Sequence, residues 1–270
     1  MRQVFARLTG ALILVVLAAA SALAQNPVAA EPQLNQPGKD VQWVPTPPAL
    51  VEKMLDMAGV TSADRFVDLG SGDGVLVIAA ARRGARARGI EYDRGLVELA
   101  KRRAIEAGVS DRTRFVRGDI FKTDFSDATV VTTFLLPSMN LRLRPTFLAM
   151  KPGTRIVANT FAIGDWEPDE RATIDGCERW CTAMLWVVPA PVGGVWLTSK
   201  GDLKLTQKFQ HVTGTLGREP IEDGRLRGPE LSFTAGGVAY RGRVDRDRIH
   251  LTASVDGKSM AWTARFAPRR

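Results

Sequence analysis

Cysteine and histidine are scarce in this sequence, which contains two of each among its 270 residues. Two cysteines are too few for the disulfide framework that stabilises many small secreted domains. With only two histidines beside them, they also argue against a zinc site, and we expect no metal centre. Internal repeats and collagen-like bias are absent as well. What remains is an ordinary globular balance of 45% hydrophobic and 24% charged residues, which excludes intrinsic disorder.

The positive charge of the chain is spread along its length rather than gathered in one block. The formal net charge is +8 at pH 7, from 37 lysines and arginines against 29 acidic residues. Arginines alternate with aspartates and glutamates throughout, which is typical of a solvated protein surface. We therefore expect no nucleic-acid partner, although a modest basic excess suits an anionic envelope surface or an acidic substrate.

Residues 1–24 have the pattern of a secretory signal peptide. Arg2 and Arg7 precede an apolar stretch over 8–20, and Ala22-Leu23-Ala24 supplies the small residues of a cleavage site. The alternative is an uncleaved anchor helix, which would give the same orientation because the positive charges precede the apolar run. The sequence thus predicts an exported protein, periplasmic or anchored to the envelope, with membrane contact only through this segment if it is uncleaved.

The remaining chain divides into three parts by composition. Residues 25–42 are rich in proline, asparagine and glutamine and are predicted to be a linker. Residues 43–190 alternate between helical patterns and short apolar strands, which predicts a parallel sheet with helical crossovers. Residues 191–270 alternate with a period of two, with turn pairs such as Asp223-Gly224 and Gly236-Gly237, which predicts a small antiparallel β domain.

The elements of the α/β part follow from capping residues and apolar periodicity. Thr46 is expected to cap a first helix that begins at Pro47 and ends at Gly59. Further helices are predicted over 75–83, 96–107 and 145–150. Strands are predicted over 65–69, 87–91, 113–117, 129–135 and 155–159.

A glycine-rich turn follows the first strand, in the sequence Asp68-Leu69-Gly70-Ser71-Gly72-Asp73-Gly74. Glycines at a strand-to-helix turn allow a ligand to approach the backbone closely. A dinucleotide fold uses such a turn for a pyrophosphate. Here the G-x-G-x-G spacing and the carboxylate of Asp73 at the helix start disfavour a diphosphate, and with it an NAD-dependent oxidoreductase. A sulfonium ligand with an amino-acid tail carries no phosphate and suits acidic surroundings.

Two more acidic residues end the next two strands. Glu91 ends the second strand, where a carboxylate can accept hydrogen bonds from two ribose hydroxyls. Asp119 follows the third strand, where it can accept from an adenine amino group while Ile120 covers the ring. Each of these signals is weak alone, and for Asp119 the alternative is a simple turn cap. In this order and at these strand ends they predict binding of S-adenosylmethionine (SAM).

With these motifs the sequence resembles the class I SAM-dependent methyltransferases, and within them the mitochondrial protein-lysine methyltransferases related to the FAM173 proteins. The resemblance covers about residues 44–166 and is strongest over 66–74. It implies a Rossmann-like seven-stranded sheet with helices on both faces, transfer of a methyl group to a nucleophile such as a protein lysine, and a loop over 45–47 that folds over the cofactor. The resemblance implies that Asp68, Gly70, Gly72, Glu91 and Asp119 line the cofactor. Thr46, Ser71 and Ile120 complete the set of predicted cofactor-binding residues.

The chain departs from that pattern in two segments, 134–140 and 164–169, and in the added β domain. Substrate is expected beyond the carboxyl ends of the strands. Asn140, Asp165 and Trp166 are therefore the catalytic candidates: Asn140 offers a donor and an acceptor, and Trp166 can form a wall for a cation. The alternatives are a helix-start role for Asn140 and a packing role for Trp166.

Two questions stay open at this level. Export separates the protein from cytoplasmic SAM, so the alternative function is a non-catalytic envelope module that uses the same nucleoside pocket. The two cysteines, Cys177 and Cys181, are four residues apart. In a strand they lie too far apart to bond and in a helix their geometry is marginal, so a disulfide requires a sharp turn between them.

Overall fold

The computed structural model describes residues 43–255 and 258–267, and the predicted signal and linker at 1–24 and 25–42 lie outside them. The first part is a seven-stranded sheet with four helices. The helices are α1 (Pro48–Met57), α2 (Val75–Arg82), α3 (Arg94–Glu106) and α4 (Pro137–Leu148). The strands are β1 (Arg65–Leu69), β2 (Arg86–Glu91), β3 (Thr113–Arg117), β4 (Val130–Thr133), β5 (Arg155–Asn159), β6 (Glu170–Thr173) and β7 (Thr182–Val187).

The sheet has the strand order β3-β2-β1-β4-β5-β7-β6. The first five strands are parallel, and β7 runs antiparallel between β5 and β6. Because the chain order reverses between β1 and β4, the carboxyl ends of these strands leave a crevice, as in other open α/β sheets. This arrangement confirms the predicted Rossmann-like fold.

Helices cover both faces of the sheet because its strands alternate apolar side chains between two cores. Helices α1, α2 and α3 pack on one face, where Phe66 and Val157 lie in the same core as their apolar residues. Helix α4 packs on the other face, where Leu143 and Phe147 meet Val67 and its neighbours. Among the described residues, no helix is long and apolar enough to cross a bilayer.

Two helix starts differ from the sequence-based prediction. Helix α1 begins at Pro48 with Pro47 as its cap, and Thr46 makes no capping hydrogen bond. Pro48 forces Pro47 into an extended conformation, which moves the helix start by one residue. Helix α4 begins at Pro137 rather than near Pro145. A proline is harmless in the first helical turn, so Pro137 marks the start and Pro145 lies inside the helix.

The second part is a closed antiparallel sheet of eight strands, hereafter the C-terminal barrel. Its strands are β8 (Gly194–Leu197), β9 (Leu203–Lys208), β10 (His211–Leu216), β11 (Glu219–Arg227), β12 (Glu230–Ala235), β13 (Val238–Asp245), β14 (Arg248–Val255) and β15 (Lys258–Ala267). Inward-facing residues such as Leu203, Leu226 and Ile249 form a separate core. The prediction of a small antiparallel β part is confirmed.

Three turn pairs are predicted in the barrel; Asp256-Gly257 lies outside the described residues, and the other two have different structures. Gly236 and Gly237 both have positive φ and connect β12 to β13, as predicted. Asp223-Gly224 is not a turn, because it lies inside β11 as a bulge between Glu222 and Arg225. Gly224 is required there by the neighbouring strand, since a Cβ at this position would clash with the carbonyl oxygen of Val212.

The barrel packs directly against the α/β part through a buried hydrogen-bonded pair. The indole of Trp166 donates to Oε1 of Gln210 over 2.9 Å, and both residues are buried. Gln210 also donates to the carbonyl oxygen of Glu167 over 2.8 Å. Asp169 extends the contact by accepting from Arg225 of β11 over 2.9 Å. The described residues therefore form one compact unit.

Candidate functional site

A cavity of about 820 Å³ opens at the carboxyl ends of the parallel strands. Residues from the ends of the five parallel strands and the loops that follow them line it, among them Asp68, Glu91, Asp119 and Phe134. The sequence places these residues far apart, and the parallel arrangement of the strands brings them to one edge. All eight cofactor-binding residues predicted from the sequence line the cavity: Thr46, Asp68, Gly70, Ser71, Gly72, Glu91, Asp119 and Ile120.

The glycine turn after β1 forms the floor of the cavity. Gly70, Gly72 and Gly74 all have positive φ, a conformation that side chains with a Cβ rarely adopt. The space of a Cβ on Gly72 is already filled by Trp43, whose Nε1 would lie 2.6 Å away. The turn therefore exposes backbone to the cavity, with Trp43 covering it.

Glu91 fastens this turn to the neighbouring strand. Its Oε2 accepts from the backbone N–H of Gly72 over 2.9 Å, and its Oε1 accepts from the N–H of Asp93 over 2.8 Å. Each carboxylate oxygen has a second acceptor position. Glu91 can therefore accept hydrogen bonds from a ligand hydroxyl pair while it keeps the turn in place.

Asp68 is the buried acid of the site. It is 3% exposed and accepts a hydrogen bond from Thr132 Oγ1 over 2.7 Å. Burial raises the pKa of Asp68 from its usual value to about 7, while the Thr132 bond acts against the shift and the charges of Glu91 and Asp73 add to it. A cation bound near Asp68 would lower this pKa, because the positive charge favours the ionised carboxylate.

Asp119 and Ile120 line the cavity after β3, the edge strand beside β2. Oδ1 of Asp119 accepts from the N–H of Phe121 over 2.9 Å, so the side chain also stabilises its own turn. The guanidinium of Arg142 lies over the Phe121 ring at 3.7 Å from its centroid. Together these residues give this end an apolar surface with a carboxylate at its edge, which suits an aromatic base with an amino group.

Thr46 and Ser71 are buried polar residues at the cavity wall. Thr46 is 7% exposed and belongs to the segment that precedes α1. The hydroxyl of Ser71 is buried and has no hydrogen-bond partner among the described residues. A buried hydroxyl without a partner is costly, and this one lies against Gly89 of β2, where a Cβ would clash with Oγ of Ser71.

Asp73 is not the unpaired charge that the sequence suggests. This carboxylate is buried at the start of α2, but it forms an ion pair with Arg103 of α3. The pairing compensates its charge, so repulsion by Asp73 alone does not exclude a diphosphate. The acidity of the cavity comes instead from several carboxylates together, since its lining contains Asp68, Asp73, Glu91, Asp93 and Asp119 against the single arginine Arg142.

The three catalytic candidates lie away from the cavity lining, which corrects their expected position. Asn140 is fully buried on α4 and donates to the carbonyl oxygen of Phe161 over 3.0 Å. Asp165 is at the surface, where ion pairs with Arg144 and Lys208 lower its pKa. Trp166 is 1% exposed and packs against Phe209, with its indole bonded to Gln210. Residues 164–169 therefore contact the C-terminal barrel, and none of them lines the cavity.

The aromatic part of the cavity was missed from the sequence. Phe134 follows β4, Phe161 follows β5 and Trp180 precedes β7, and all three line the cavity. Their ring centroids lie 5.3 to 6.2 Å apart. For Phe134 and Phe161 the position after a strand was an available signal. For Trp180 no local signal exists, because it precedes β7, which runs antiparallel to β5, and does not follow a parallel strand.

Cys177 and Cys181 form a disulfide, with Cα atoms 5.8 Å apart. The requirement for a sharp turn is met between them, where Trp180 has a φ of 63°. The ring of Trp180 reaches the cavity from inside this disulfide loop. No group of three or more potential metal ligands occurs among residues 43–255 and 258–267.

Comparison with known proteins agrees with this geometry. The family model of the ANTKMT methyltransferase domain matches residues 68–170. A protein-lysine N-methyltransferase of Saccharolobus islandicus is 38% identical over 151 residues, which cover 55% of this chain and 94% of that protein. The adenine nucleotide translocase lysine N-methyltransferase of Mus musculus is 40% identical over 106 residues, covering 38% of this chain and 46% of that protein.

A crystal structure described as an RNA methyltransferase of Salinibacter ruber, in complex with S-adenosylhomocysteine, is also similar. It is 47% identical with a TM-score of 0.52, and the match covers 55% of this chain and 96% of that chain. The demethylated cofactor in that structure identifies the methyl donor of the fold as SAM. The glycine turn and the acidic lining fit such a cationic nucleoside.

Proposed function

This chain belongs to the family of SAM-dependent protein-lysine N-methyltransferases, and from that premise we propose that it methylates a lysine side chain of a protein outside the cytoplasm. The observation that carries the proposal is the shared cavity in which Asp68 and Glu91 lie at one end and Phe134 and Phe161 at the other. One end suits the cofactor and the other an alkyl chain. Both lie at the edge where this fold binds ligands.

The cofactor is assigned to the acidic end. Glu91 would accept hydrogen bonds from the ribose hydroxyls, as carboxylates at the end of the second strand do in nucleotide-binding folds. Asp119 and Ile120 would hold the adenine, and the glycine turn with Ser71 and Asp68 would hold the amino-acid portion. When bound, the cofactor supplies a methyl group on a sulfonium, which is already activated for transfer.

The protein then has three tasks: to align the lysine nitrogen with the methyl group, to exclude water, and to favour the neutral amine. The apolar wall formed by Phe134, Leu135 and Phe161 serves to exclude water. Removal of an ammonium from water lowers its pKa, because the charged form loses hydration. This loss of hydration promotes release of the proton to solvent after the acceptor has bound as an ammonium, and the neutral amine is then the nucleophile.

Two features of the chain support the export that this proposal includes. The signal pattern over 1–24 supports it, and so does the Cys177–Cys181 disulfide, since such bonds persist mainly in oxidising compartments. If the signal is uncleaved, the same segment would attach the enzyme to the membrane. A fusion of residues 1–40 to a reporter that is active only outside the cytoplasm tests this directly: an inactive reporter would refute export.

Methyl transfer is tested with residues 25–270, labelled SAM and an envelope protein extract. We expect label in protein, and methylated lysine after acid hydrolysis by mass spectrometry. Glu91→Ala is the matched inactive variant. Binding of SAM without labelling of any extract would favour the alternative of a non-catalytic binding module.

RNA is the second candidate acceptor, because the Salinibacter ruber structure is described as an RNA methyltransferase. The same labelling is therefore run with total RNA. Label that resists protease and is released by ribonuclease would assign RNA as the acceptor and refute the lysine proposal.

A further inference from the structure

The aromatic residues Phe134, Phe161 and Trp180 come together because of sheet topology. Phe134 and Phe161 follow the adjacent parallel strands β4 and β5. Trp180 precedes β7, which runs antiparallel to β5, so its amino end lies beside the carboxyl end of β5. A hydrogen bond of 2.7 Å from Thr160 N–H to the carbonyl oxygen of Thr182 joins the two segments. Three separate segments thus present an aromatic ring at one edge of the cavity.

The three rings form a compact wall, the aromatic triad. Phe134 and Phe161 are nearly parallel, with centroids 6.2 Å apart, and Trp180 is inclined to both, at 6.0 and 5.3 Å. At these separations one cation can lie within about 6 Å of all three centroids, the range in which ring faces attract a positive charge. Within the described part of the chain, arginines and lysines lie over other rings, such as Phe121 and Phe209, and none lies over these three.

The charges of the cavity favour a cationic occupant over a nucleotide. Five carboxylates and one arginine line it. Asp73 is compensated by Arg103, and Lys122 lies 3.7 Å from Asp119, yet Asp68 and Glu91 have no basic side chain within ion-pair distance among the described residues. Such a lining attracts an ammonium and repels the phosphate of a polynucleotide.

Trp180 is held in this wall by an unusual local structure. Its φ of 63° is in the left-handed region, which is unfavourable for a residue with a bulky side chain. The Cys177–Cys181 disulfide closes a short loop around it and restricts the alternatives that the chain can adopt. Trp180 also lies beyond the segment 68–170 that the family model matches.

We infer that the aromatic triad is the binding site for the ammonium end of the acceptor, and that the Cys177–Cys181 disulfide is the device that positions Trp180 in it. The inference rests on the proposed lysine methylation and names the residues that select its acceptor. Phe134 and Phe161 supply the inner wall, and Trp180 closes the site on the side of β7. Without the disulfide, Trp180 leaves the wall and acceptor binding weakens while cofactor binding is preserved.

The test uses the S-adenosylhomocysteine-loaded protein, residues 25–270, labelled with ¹⁵N in its indole groups. The probe is n-butylammonium, which mimics a lysine side chain, and n-butanol is the neutral control of the same shape. The Trp180 signal is assigned by its loss in Trp180→Phe. We expect n-butylammonium to shift this signal and n-butanol to leave it nearly unchanged, because the attraction is to the charge. Trp180→Ala is expected to weaken n-butylammonium binding by roughly three- to thirtyfold.

The disulfide is tested with the double variant Cys177→Ser/Cys181→Ser, which removes the two cysteines of the chain. Its n-butylammonium affinity should fall about as far as that of Trp180→Ala, while its affinity for SAM by calorimetry stays within twofold of the parent. Phe266→Ala, which removes an exposed ring of the C-terminal barrel, is the matched control and should change neither affinity.

Several outcomes would overturn the inference. Equal shifts with n-butanol would make the triad a plain apolar surface, and no shift with intact SAM binding would place the acceptor elsewhere. An unchanged ammonium affinity in the double cysteine variant would remove the disulfide from the proposal. If adenosine monophosphate shifts the Trp180 signal and n-butylammonium does not, the ring is a stacking site for a base. Because the probe reports binding without turnover, these results are independent of whether labelling finds methylated lysine.

Discussion

The carboxylate of Glu91 accepts a hydrogen bond from the backbone N–H of Gly72 over 2.9 Å, across 19 positions of sequence. The bond joins the end of β2 to the glycine turn after β1. One side chain therefore both shapes the turn and offers acceptors to a ligand. Such a double role makes the cofactor site sensitive to a change at either residue.

Replacement of Glu91 by alanine should weaken SAM binding by about 1–3 kcal/mol, because a charged acceptor is lost and the Gly72 N–H loses its partner. Calorimetry on the variant measures this directly. Glu98→Ala, at an exposed site on α3, is the control and should bind SAM normally. An unchanged affinity in Glu91→Ala would remove Glu91 from the cofactor site.

Asp68 should destabilise the cofactor-free protein at neutral and alkaline pH. Its folded pKa of about 7 lies above the usual value of 3.8, so its contribution to stability is fully present below pH 4 and is lost as pH rises through 7. The loss is roughly 1.4 kcal/mol per pH unit over that window. Asp68→Asn should therefore unfold at higher urea than the parent at pH 8, and at the same urea at pH 4. Its SAM affinity should fall, since the charge that attracts a cation is gone.

Two glycines with positive φ should differ in their tolerance of alanine. A Cβ on Gly74 would lie 2.8 Å from the Phe115 ring and 2.9 Å from the Cβ of Ala100, whereas a Cβ on Gly108 would meet nothing within 4 Å. Gly108→Ala should lower the free energy of unfolding by about 1–2 kcal/mol, because alanine is unfavourable in the left-handed conformation. Gly74→Ala should cost about 1–3 kcal/mol more, because it overpacks the core. Equal losses in urea unfolding would contradict the predicted clash.

Trp166→Phe should lower stability without affecting the cofactor. The change removes the indole N–H and leaves Oε1 of Gln210 buried without its donor, at a cost of about 1–3 kcal/mol. The control is Asp165→Asn, which alters only exposed ion pairs and should change stability by less than about 1 kcal/mol. SAM affinity measured for Trp166→Phe should equal that of the parent. A selective loss of turnover at normal stability would restore Trp166 as a candidate for catalysis.

The cofactor end of the site was accessible from sequence because its signals are local. Asp68, Glu91 and Asp119 each lie at or just beyond the end of a strand, and parallel strands bring their carboxyl ends to one edge. A residue that depends only on its position along a strand can therefore be placed without knowledge of the fold. The glycines of the turn are recognisable for a similar reason, since their positive φ is a property of the local backbone.

The acceptor end depended on contacts between distant segments. Trp166 was expected to line the site and instead packs against the C-terminal barrel, because Gln210, 44 residues away, accepts its indole hydrogen bond. The compensation of Asp73 by Arg103 was hidden for the same reason. Neither partner can be identified from its neighbours in sequence.

Sequence by itself therefore determined the α/β class, the glycine turn and the acids at the strand ends, since alternation and strand-end position are encoded residue by residue. Tertiary structure alone decided that β7 runs against β5 and that Cys177 bonds Cys181 across a turn, and so that Trp180 faces the cavity. The physical reason is that strand direction and ring contacts result from packing over the whole sheet, which no short segment specifies.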